Sequence, residues 1–319
     1  MAVYYFSWLV HATRLIWILA INFVHEQSYN TLRINDVQLC TNNYKQKWPM
    51  NPDESPYYWD GVTRTFTEDA RQSLWRSHSD RVNVSLLEDW LGGRQFTKIL
   101  KTDLFDEAVS QGLYPFLRKR AHQIHGIDLA SESVHKAKIR YPELEAICAD
   151  VRRLPFSDNR FDLIVSNSTL DHFQSTGEID TGLRELFRVL KPGNELIISL
   201  DNLQNPIVGL RNLLPFGLLN SLNLVPYFVG KSYGRRGLTA ALEKAGFMVL
   251  ETRAIMHCPR VLAVAVAGVL QKRASKNSRQ RFLALLEKFE CLARLPTRYV
   301  SGHFVAVRAL KPAKQGTRD

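Results

Sequence analysis

The apolar positions divide the chain into an N-terminal extension and a longer alternating region. Val3–Val24 is a nearly continuous apolar run, and residues 26–66 are polar and rich in Pro, Asp and Asn, which is typical of a linker. From Glu68 onward, helical spacings alternate with short apolar runs. The pattern therefore predicts an extension over residues 1–66 and an α/β domain over residues 67–319.

Seven short apolar runs in that domain predict strands, and amphipathic segments between several of them predict helices. The predicted strands are Lys98–Lys101, Gln123–Asp128, Glu145–Ala149, Phe161–Ser166, Glu195–Leu200, Phe247–Ala254 and His303–Leu310. The predicted helices are Leu104–Lys119, Ser131–Ile139, Thr181–Leu190 and Gly237–Ala245. Because such strands are typical of a parallel sheet that is covered on both faces, we predict a three-layer α/β sandwich.

Two segments interrupt this alternation. Residues 206–230 form an apolar insert with several prolines and glycines, so they cannot be one regular helix. We expect the insert to be either a lid packed on the protein's own core or a surface for a lipophilic substrate or a bilayer. Residues 271–298 form a basic segment with helical spacing.

The N-terminal run Val3–Val24 is long enough to cross a bilayer. His11 and Arg14 lie within it, however, and on a helix they belong to one narrow polar stripe. An arginine near the membrane centre is unfavourable. We therefore predict a helix that lies on a membrane or on the protein itself. A cleaved signal peptide fits poorly, because no positive charge precedes the run.

The net charge of +11 is concentrated near the C-terminus. Residues 271–319 carry twelve Lys or Arg and three Asp or Glu, a balance of +9. This excess fits either a solvated basic surface or contact with an anionic membrane. We expect no nucleic acid partner, because no zinc-finger, KH or RRM signature accompanies the charge. The four cysteines contain no CxxC pair, so we predict no metal site.

Candidate binding residues follow the second, third and fourth predicted strands. In an open α/β sheet, ligands bind beyond the carboxyl ends of the strands. The candidates are Asp128 after the second strand, Asp150 after the third, and Ser166, Asn167 and His172 after the fourth. Either acid can bind a nucleoside or cap a turn or helix. His172 can act as a base or form a hydrogen bond within its loop.

The turn after the first predicted strand contains no glycine. It reads "KILKTDLFDEA", whereas nucleotide-binding folds usually place glycines here so that the backbone can approach a cofactor closely. Polar side chains offer a substitute, because Lys101 and Thr102 can bind a carboxylate and Asp103, Asp106 or Glu107 can bind an ammonium group. The alternative is a fold that has lost cofactor binding.

The order of four segments is similar to that of a known family. The acid after the second strand is followed by "ADVRRLPF", "FDLIVSNSTLDHF" and "LFRVLKPGNELIIS". This order resembles the class I S-adenosylmethionine-dependent methyltransferases, and more narrowly the type 11 group, over about residues 99–200. The resemblance implies a Rossmann-like fold with a mostly parallel seven-stranded sheet and an antiparallel last strand. The glycine-free "LKTDLFDEA" departs from the family pattern.

The same resemblance implies that the chain is an enzyme and that S-adenosyl-L-methionine is its cofactor. It assigns residues to three parts of that cofactor: Asp128 to the ribose, Asp150 with Val151 to the adenine, and Ser166 with Asn167 to the methionine part and the reacting methyl group. Leu129, next to Asp128, is a further cofactor-binding candidate. Lys101, Thr102 and Asp103 would replace the usual glycine-rich turn.

The resemblance and the apolar insert together predict methyl transfer to a small, lipophilic acceptor. His172 is the candidate catalytic base. We expect a cytoplasmic protein with peripheral contact to an anionic membrane at its inner face. The alternative is a catalytically inactive methyltransferase-like scaffold that acts as a membrane-associated interaction protein.

Overall fold

The computed structural model describes residues 56–68, 72–222 and 225–313. The chain divides into two units, Met1–Lys47 and Trp48–Asp319, and the described residues all belong to the second. The helix predicted at Val3–Val24 lies outside the described residues and stays a prediction. None of the described helices combines the length and the hydrophobicity that a bilayer span needs.

Strands and helices alternate along most of the described chain. The strands are β1 (Phe96–Lys101), β2 (Ala121–Asp128), β3 (Glu145–Cys148), β4 (Phe161–Asn167), β5 (Leu190–Asp201), β6 (Met248–Ile255) and β7 (Phe304–Leu310). The helices are α1 (Pro56–Glu68), α2 (Ser73–Leu91), α3 (Phe105–Val109), α4 (Tyr114–Arg118), α5 (Ser131–Arg140), α6 (Thr176–Val189), α7 (Pro206–Leu213), α8 (Phe216–Ser221), α9 (Arg235–Lys244), α10 (Arg260–Arg273), α11 (Lys276–Lys288) and α12 (Arg298–Ser301). The basic segment predicted to be helical contains α11, as expected.

The strands form one sheet in the order β3-β2-β1-β4-β5-β7-β6. Strands β1 to β5 pair in parallel, whereas β7 runs antiparallel to both β5 and β6. Ile99 in β1 pairs with Ile124 in β2 on one side and with Leu163 in β4 on the other. The predicted mostly parallel seven-stranded sheet with an antiparallel last strand is therefore confirmed.

Helices cover both faces of this sheet. Leu163, Ile164 and Val165 of β4 alternate between the two faces, and all three are fully buried. On one face, the core includes Leu183 of α6 and Leu238 of α9. Burial on both faces explains why the strands are continuous apolar runs in the sequence.

The helix predicted at Leu104–Lys119 is wrong as a single element, because the chain forms two short helices, α3 and α4. Gly112 lies between them with a φ of +61°, which is outside the helical region. The buried Glu107 carboxylate accepts hydrogen bonds from the backbone N–H groups of Leu113 at 2.8 Å and Tyr114 at 3.2 Å. A side chain of α3 therefore caps the start of α4.

Helix α6 begins earlier than predicted, at Thr176. Ser175 caps it by accepting from the backbone N–H of Glu178, and the Glu178 side chain accepts in return from the N–H of Ser175. Strand β5 follows directly at Leu190, where the backbone already pairs with β4. Pro192 and Gly193 therefore lie inside the strand.

Part of the predicted linker is helix α1. Its apolar side chains Tyr58, Val62 and Phe66 recur every fourth residue and are buried in one cluster, against which Phe105 of α3 packs. The linker prediction is therefore wrong for residues 56–66. There the apolar spacing outweighs a composition that is typical of loops.

Helix α1 is attached to the start of α5. Asp60 is buried, and its carboxylate accepts from the backbone N–H of Glu132 at 2.8 Å and from the hydroxyl of Ser131 at 2.9 Å. The hydroxyls of Thr63 and Ser133 lie 2.8 Å apart. Helix α1 therefore supplies the carboxylate that stabilises the N-terminus of α5.

The insert contains two short helices, α7 and α8, as its prolines and glycines predicted. Asn205 caps α7 by accepting from the N–H groups of Ile207 and Val208. Val208 in α7 and Leu219 in α8 are buried, whereas most of the other apolar side chains of these helices face solvent. The exposed ones across the insert are Ile207, Leu210, Leu213, Leu214, Leu218 and Leu222. Packing on the protein's own core, as expected for a lid, therefore buries only a small part of the insert's apolar surface.

Candidate functional site

A cavity opens where the loops after β1, β2, β3 and β4 meet. Its empty volume is about 790 Å³, which includes space that is open to solvent. Seven of the predicted site residues line it: Thr102, Asp103, Asp128, Leu129, Asp150, Val151 and His172. Lys101, Ser166 and Asn167 are not among the described residues that line it. The structure therefore brings both predicted acids to one cavity and leaves three predicted residues out.

Asp128 ends β2 and holds the neighbouring turn. Its Oδ2 atom accepts from the backbone N–H of Leu104 at 3.0 Å, and its Oδ1 atom accepts from the N–H of Ala130 at 2.8 Å. Burial and the negative charge of Asp103 raise the pKa of Asp128 to about 7. Each carboxylate oxygen has two acceptor sites, so Asp128 can bind these backbone groups and a ligand hydroxyl together.

Asp103 shares the cavity with Asp128. Its Oδ1 atom accepts from the backbone N–H of Phe105 at 2.8 Å, which fixes the start of α3. Burial raises the pKa of Asp103, while the positive charge of Lys101 acts in the opposite direction. A positively charged ligand would stabilise the ionised forms of both cavity acids.

Lys101 is buried in the protein beside the turn. Its ammonium group lies 2.9 Å from Oε2 of Glu107 and donates to the backbone carbonyl of Asp103. Burial favours the neutral amine, but the negative charges of Glu107 and Asp103 outweigh it and raise the pKa of Lys101. The expected contact between Lys101 and a cofactor carboxylate therefore has no support from this geometry. The ammonium group instead closes the turn from inside.

Asp150 lines the cavity but is already paired with Arg152. The Arg152 Nη2 and Nε atoms lie 2.7 Å and 2.9 Å from Oδ2 of Asp150, and the backbone N–H of Arg152 donates to Oδ1 at 2.8 Å. Arg152 also bonds Glu178 and lies over the ring of Phe173, 4.9 Å from its centre. The turn interpretation of Asp150 is therefore correct, and remaining acceptor sites leave ligand binding possible.

A hydroxyl cluster links the ends of β1 and β4. Thr102 donates to Oγ of Ser166 at 2.9 Å, and its hydroxyl lies 2.8 Å from that of Thr169. Ser166 is fully buried, and Asn167 pairs with Ser199 of β5. Thr102 and Thr169 line the cavity, so they are better placed to contact a ligand than Ser166 and Asn167.

His172 lines the cavity and is held by the end of the insert. Its Nδ1 atom lies 3.2 Å from the backbone carbonyl of Phe228. Because a carbonyl only accepts, Nδ1 carries the hydrogen and Nε2 of the neutral ring keeps its lone pair. The adjacent Asp171 makes its hydrogen bonds with residues other than His172. It is buried and accepts from the hydroxyl of Ser168 at 2.8 Å and from the N–H of Asp201 at 2.9 Å.

Aromatic side chains that the sequence analysis missed form much of the remaining wall. They are Trp59 of α1, Phe105 of α3, Phe173 and Tyr227. The Trp59 ring centre lies 4.9 Å from that of His172 and 6.4 Å from that of Tyr227. The apolar spacing of α1 was a usable signal for Trp59. No local pattern identified Tyr227, because a contact between distant parts of the chain places it there.

The charge around the cavity is one-sided. Asp103, Asp128 and Asp150 line it, and no lysine or arginine is among the lining residues that the structure describes. Within the same described ranges, no cluster of His, Cys, Asp and Glu is placed to hold a metal ion. Arg152 offsets the charge of Asp150, so Asp103 and Asp128 supply the negative charge of the lining, which favours ligands that carry positive charge.

Known proteins match parts of this chain. The family model described as "Methyltransferase domain" matches residues 109–198. A malonyl-[acyl-carrier protein] O-methyltransferase from Halorhodospira halophila is 37% identical over 26% of this chain and 28% of its own length. A demethylmenaquinone methyltransferase from Streptomyces avermitilis is 31% identical over 46% of this chain and 60% of its own length. The structure of phosphoethanolamine N-methyltransferase 2 from Haemonchus contortus aligns with a TM-score of 0.49 and 15% identity, and covers 72% of this chain and 52% of that one.

The chain thus spans 60% or less of the length of these two curated relatives. The segment matched by the family model runs from the end of α3 into β5 and includes Asp128 and Asp150. It begins after the glycine-free turn. The similarity to the methyltransferase family model therefore rests on residues 109–198.

Proposed function

We propose that the protein is an S-adenosylmethionine-dependent methyltransferase that acts on a small acceptor. The observation that carries this proposal is the one-sided charge of the cavity, which has three carboxylates and no described lining cation. S-adenosylmethionine carries a positive sulfonium and a positive ammonium group, so these acids attract it. A dinucleotide with its phosphates fits the same wall poorly.

The adenosine part of the cofactor fits the β2 and β3 loops. Asp128 can accept from the ribose hydroxyls while it keeps its two backbone hydrogen bonds. Asp150 can accept from the adenine amine, although its pairing with Arg152 occupies part of its acceptor capacity. Val151 is buried beside it and offers an apolar contact to the ring.

The methionine part fits the turn after β1. Thr102 and Asp103 line the cavity there, and Asp103 can accept from the ammonium group. When bound, the cofactor would supply a methyl group on a positive sulfur; an acceptor atom would form a bond to that methyl group in line with the breaking sulfur–methyl bond, and S-adenosylhomocysteine would leave. The protein aligns that atom and excludes water. For acceptors that must lose a proton, Nε2 of His172 is the candidate base.

We infer a lipophilic acceptor from the aromatic wall. Trp59, Phe105 and Tyr227 line the cavity together with the His172 ring. Aromatic rings of this kind contribute large apolar contact areas and pack well against flat or hydrocarbon groups. The printed activities of the two curated relatives, on malonyl-[acyl-carrier protein] and demethylmenaquinone, are compatible with this class without identifying the acceptor.

The exposed insert supports a second part of the proposal, which is peripheral binding to an anionic membrane. Leu213 is 82% exposed and Leu210 is 60% exposed, so α7 presents an apolar face to solvent. Arg235, Arg236 and Arg298 line one depression with Gln204, which directly precedes the cap of α7. Exposed leucines beside arginines are typical of surfaces that bind anionic bilayers.

Calorimetric titration with S-adenosylhomocysteine tests the catalytic proposal without knowledge of the acceptor. We expect saturable binding to the full-length chain, and Glu143→Gln, a change in an exposed carboxylate, should leave it intact. No binding at millimolar ligand would favour the alternative, a catalytically inactive scaffold.

Vesicle flotation tests the membrane proposal separately. The full-length chain should float with vesicles made of equal parts phosphatidylglycerol and phosphatidylcholine, and much less with phosphatidylcholine alone. Equal flotation with both would contradict a role for the arginines. Absence from both would remove the membrane part of the proposal and leave the catalytic part standing.

A further inference from the structure

In nucleotide-binding folds, a glycine in the first turn usually lets the backbone approach the cofactor. This protein has no glycine in that turn, but a glycine of the neighbouring strand lies against it. Gly126 lies in β2, two residues before Asp128, and the side chain of Leu104 from the turn lies against it. A Cβ atom on residue 126 would be 2.6 Å from Cδ2 of Leu104 and 3.1 Å from Cδ1. Contacts this short are not tolerated, so only glycine lets Leu104 occupy its observed position.

Leu104 is therefore attached to β2 at two points. Its side chain is completely buried against Gly126, and its backbone N–H donates to Asp128 at 3.0 Å. The residue before it, Asp103, lines the cavity. The depth at which Leu104 sits on β2 therefore fixes the position of the Asp103 carboxylate relative to that of Asp128.

The remaining contacts of the turn act from its other side. Lys101 donates to the carbonyl of Asp103 and pairs with Glu107, and Asp103 itself accepts from the N–H of Phe105. These bonds hold the turn together internally but do not attach it to β2. The β1–β2 ladder pairs Lys101 with Gly126, and beyond this ladder the Leu104–Gly126 contact is the packing interaction that sets how closely the turn lies on β2.

We propose that Gly126 is a positioning residue for cofactor binding. It lets the turn lie close to β2, whereas in other nucleotide-binding folds a glycine in the turn itself allows the close approach. This inference rests on the proposed function, because the ligand whose binding it controls is S-adenosylmethionine. It extends that proposal by assigning a binding role to a strand residue outside the cavity lining.

The test compares S-adenosylhomocysteine affinities, measured by calorimetry well below the thermal midpoint of each variant. Gly126→Ala forces the Leu104 side chain away from β2, so we expect the dissociation constant to rise about tenfold or more. This corresponds to a loss of about 1.4 kcal/mol in binding free energy. Gly93→Ala is the matched control, because a Cβ atom there meets nothing within 4 Å. It should bind like the wild type.

Rescue separates positioning from general loss of stability. Leu104→Ala removes the atoms that an alanine at residue 126 would strike, so the double variant should bind within about threefold of Leu104→Ala alone, a difference below about 0.7 kcal/mol. If Gly126→Ala does not fold, this pair still decides the question.

Two results would overturn the inference while leaving the proposed function intact. In one, the wild type binds and folded Gly126→Ala binds within twofold of it. In the other, the double variant fails to bind although Leu104→Ala binds. A wild type that does not bind at all overturns the proposed function itself, and this inference with it.

Discussion

The first turn and the insert follow opposite rules of burial. The turn around Lys101–Glu107 places charged groups inside the protein, where Lys101 and Glu107 are buried to 2% and 0% exposure. The insert places leucines outside, and Leu213 is 82% exposed. One region therefore buries charge and the other exposes hydrocarbon, although both choices are unfavourable for an isolated folded chain.

The difference indicates which kind of partner each region needs. Buried charge is tolerated only when it is precisely paired, so the turn is rigid and suited to holding a small ligand in one position. Covering exposed leucines with another apolar surface lowers the free energy. The insert is therefore suited to a large and fluid partner. The following experiments test this contrast.

The largest effect should come from the buried pair. Lys101→Met leaves Glu107 buried without its cation, and we expect the free energy of unfolding to fall by about 3 kcal/mol in urea denaturation. Lys191→Met, which breaks a partly exposed pair with Asp162, should cost less than about 1 kcal/mol. Equal losses would mean that burial does not distinguish the turn.

A double variant sharpens this result. In Lys101→Met/Glu107→Gln, the amide oxygen can still accept from the N–H groups of Leu113 and Tyr114, while no buried charge remains. We expect more than half of the lost stability to return. If it does not, the cost of Lys101→Met lies in packing rather than in charge.

Asp128 should carry the next largest effect, on ligand affinity. Asp128→Asn removes the negative charge and directs an amide N–H₂ group toward the N–H of Leu104 or Ala130. We expect S-adenosylhomocysteine to bind about 30-fold more weakly, which is about 2 kcal/mol for a charged hydrogen bond. Calorimetry measures the change, and a loss below threefold would argue against contact between Asp128 and the ribose.

The pH dependence of binding gives a smaller, reversible effect. Burial and Asp103 raise the pKa of Asp128 to about 7, so its carboxyl group contributes stability that is complete below about pH 4 and is lost as the pH rises through about 7. Ligand binding has the opposite dependence, because it needs the ionised form.

We therefore expect the affinity for S-adenosylhomocysteine to rise up to about tenfold between pH 6 and pH 8, from the ionised fraction alone. Titrations at several pH values measure this rise. Asp128→Asn should abolish it, and a rise that persists in that variant would assign the titration to another group.

The smallest effect on folding, with a clear effect on binding, is expected in the insert. Leu213→Asp should change the free energy of unfolding by less than about 0.5 kcal/mol, because the side chain is exposed. It should reduce binding to anionic vesicles about tenfold, since a buried leucine is worth about 1.5 kcal/mol or more. Ile139→Asp, at an exposed residue of α5, is the matched control and should bind vesicles normally.

The sequence predicted the sheet well because its central strands contain apolar runs, such as Leu163–Val165 in β4. It predicted less about the site, where partners are decided in three dimensions. Asp128 was identified by its position at a strand end, but the inward pairing of Lys101 depends on the fold around Glu107. Trp59 was missed because the loop-like composition of the surrounding segment outweighed the four-residue spacing of the neighbouring Tyr58, Val62 and Phe66, which marks helix α1.

A hydrogen bond joins helix α1 to the end of the insert, next to residues of both that line the cavity. The N–H of Phe228 donates to the hydroxyl of Tyr58 at 2.7 Å, although the two residues are 170 positions apart. A truncated protein that starts at residue 67 would keep all seven strands but lose the part of the cavity wall that α1 supplies. Such a fragment would keep the fold but lose part of the ligand site. A protein shortened to its sheet is therefore a poor choice for an active fragment.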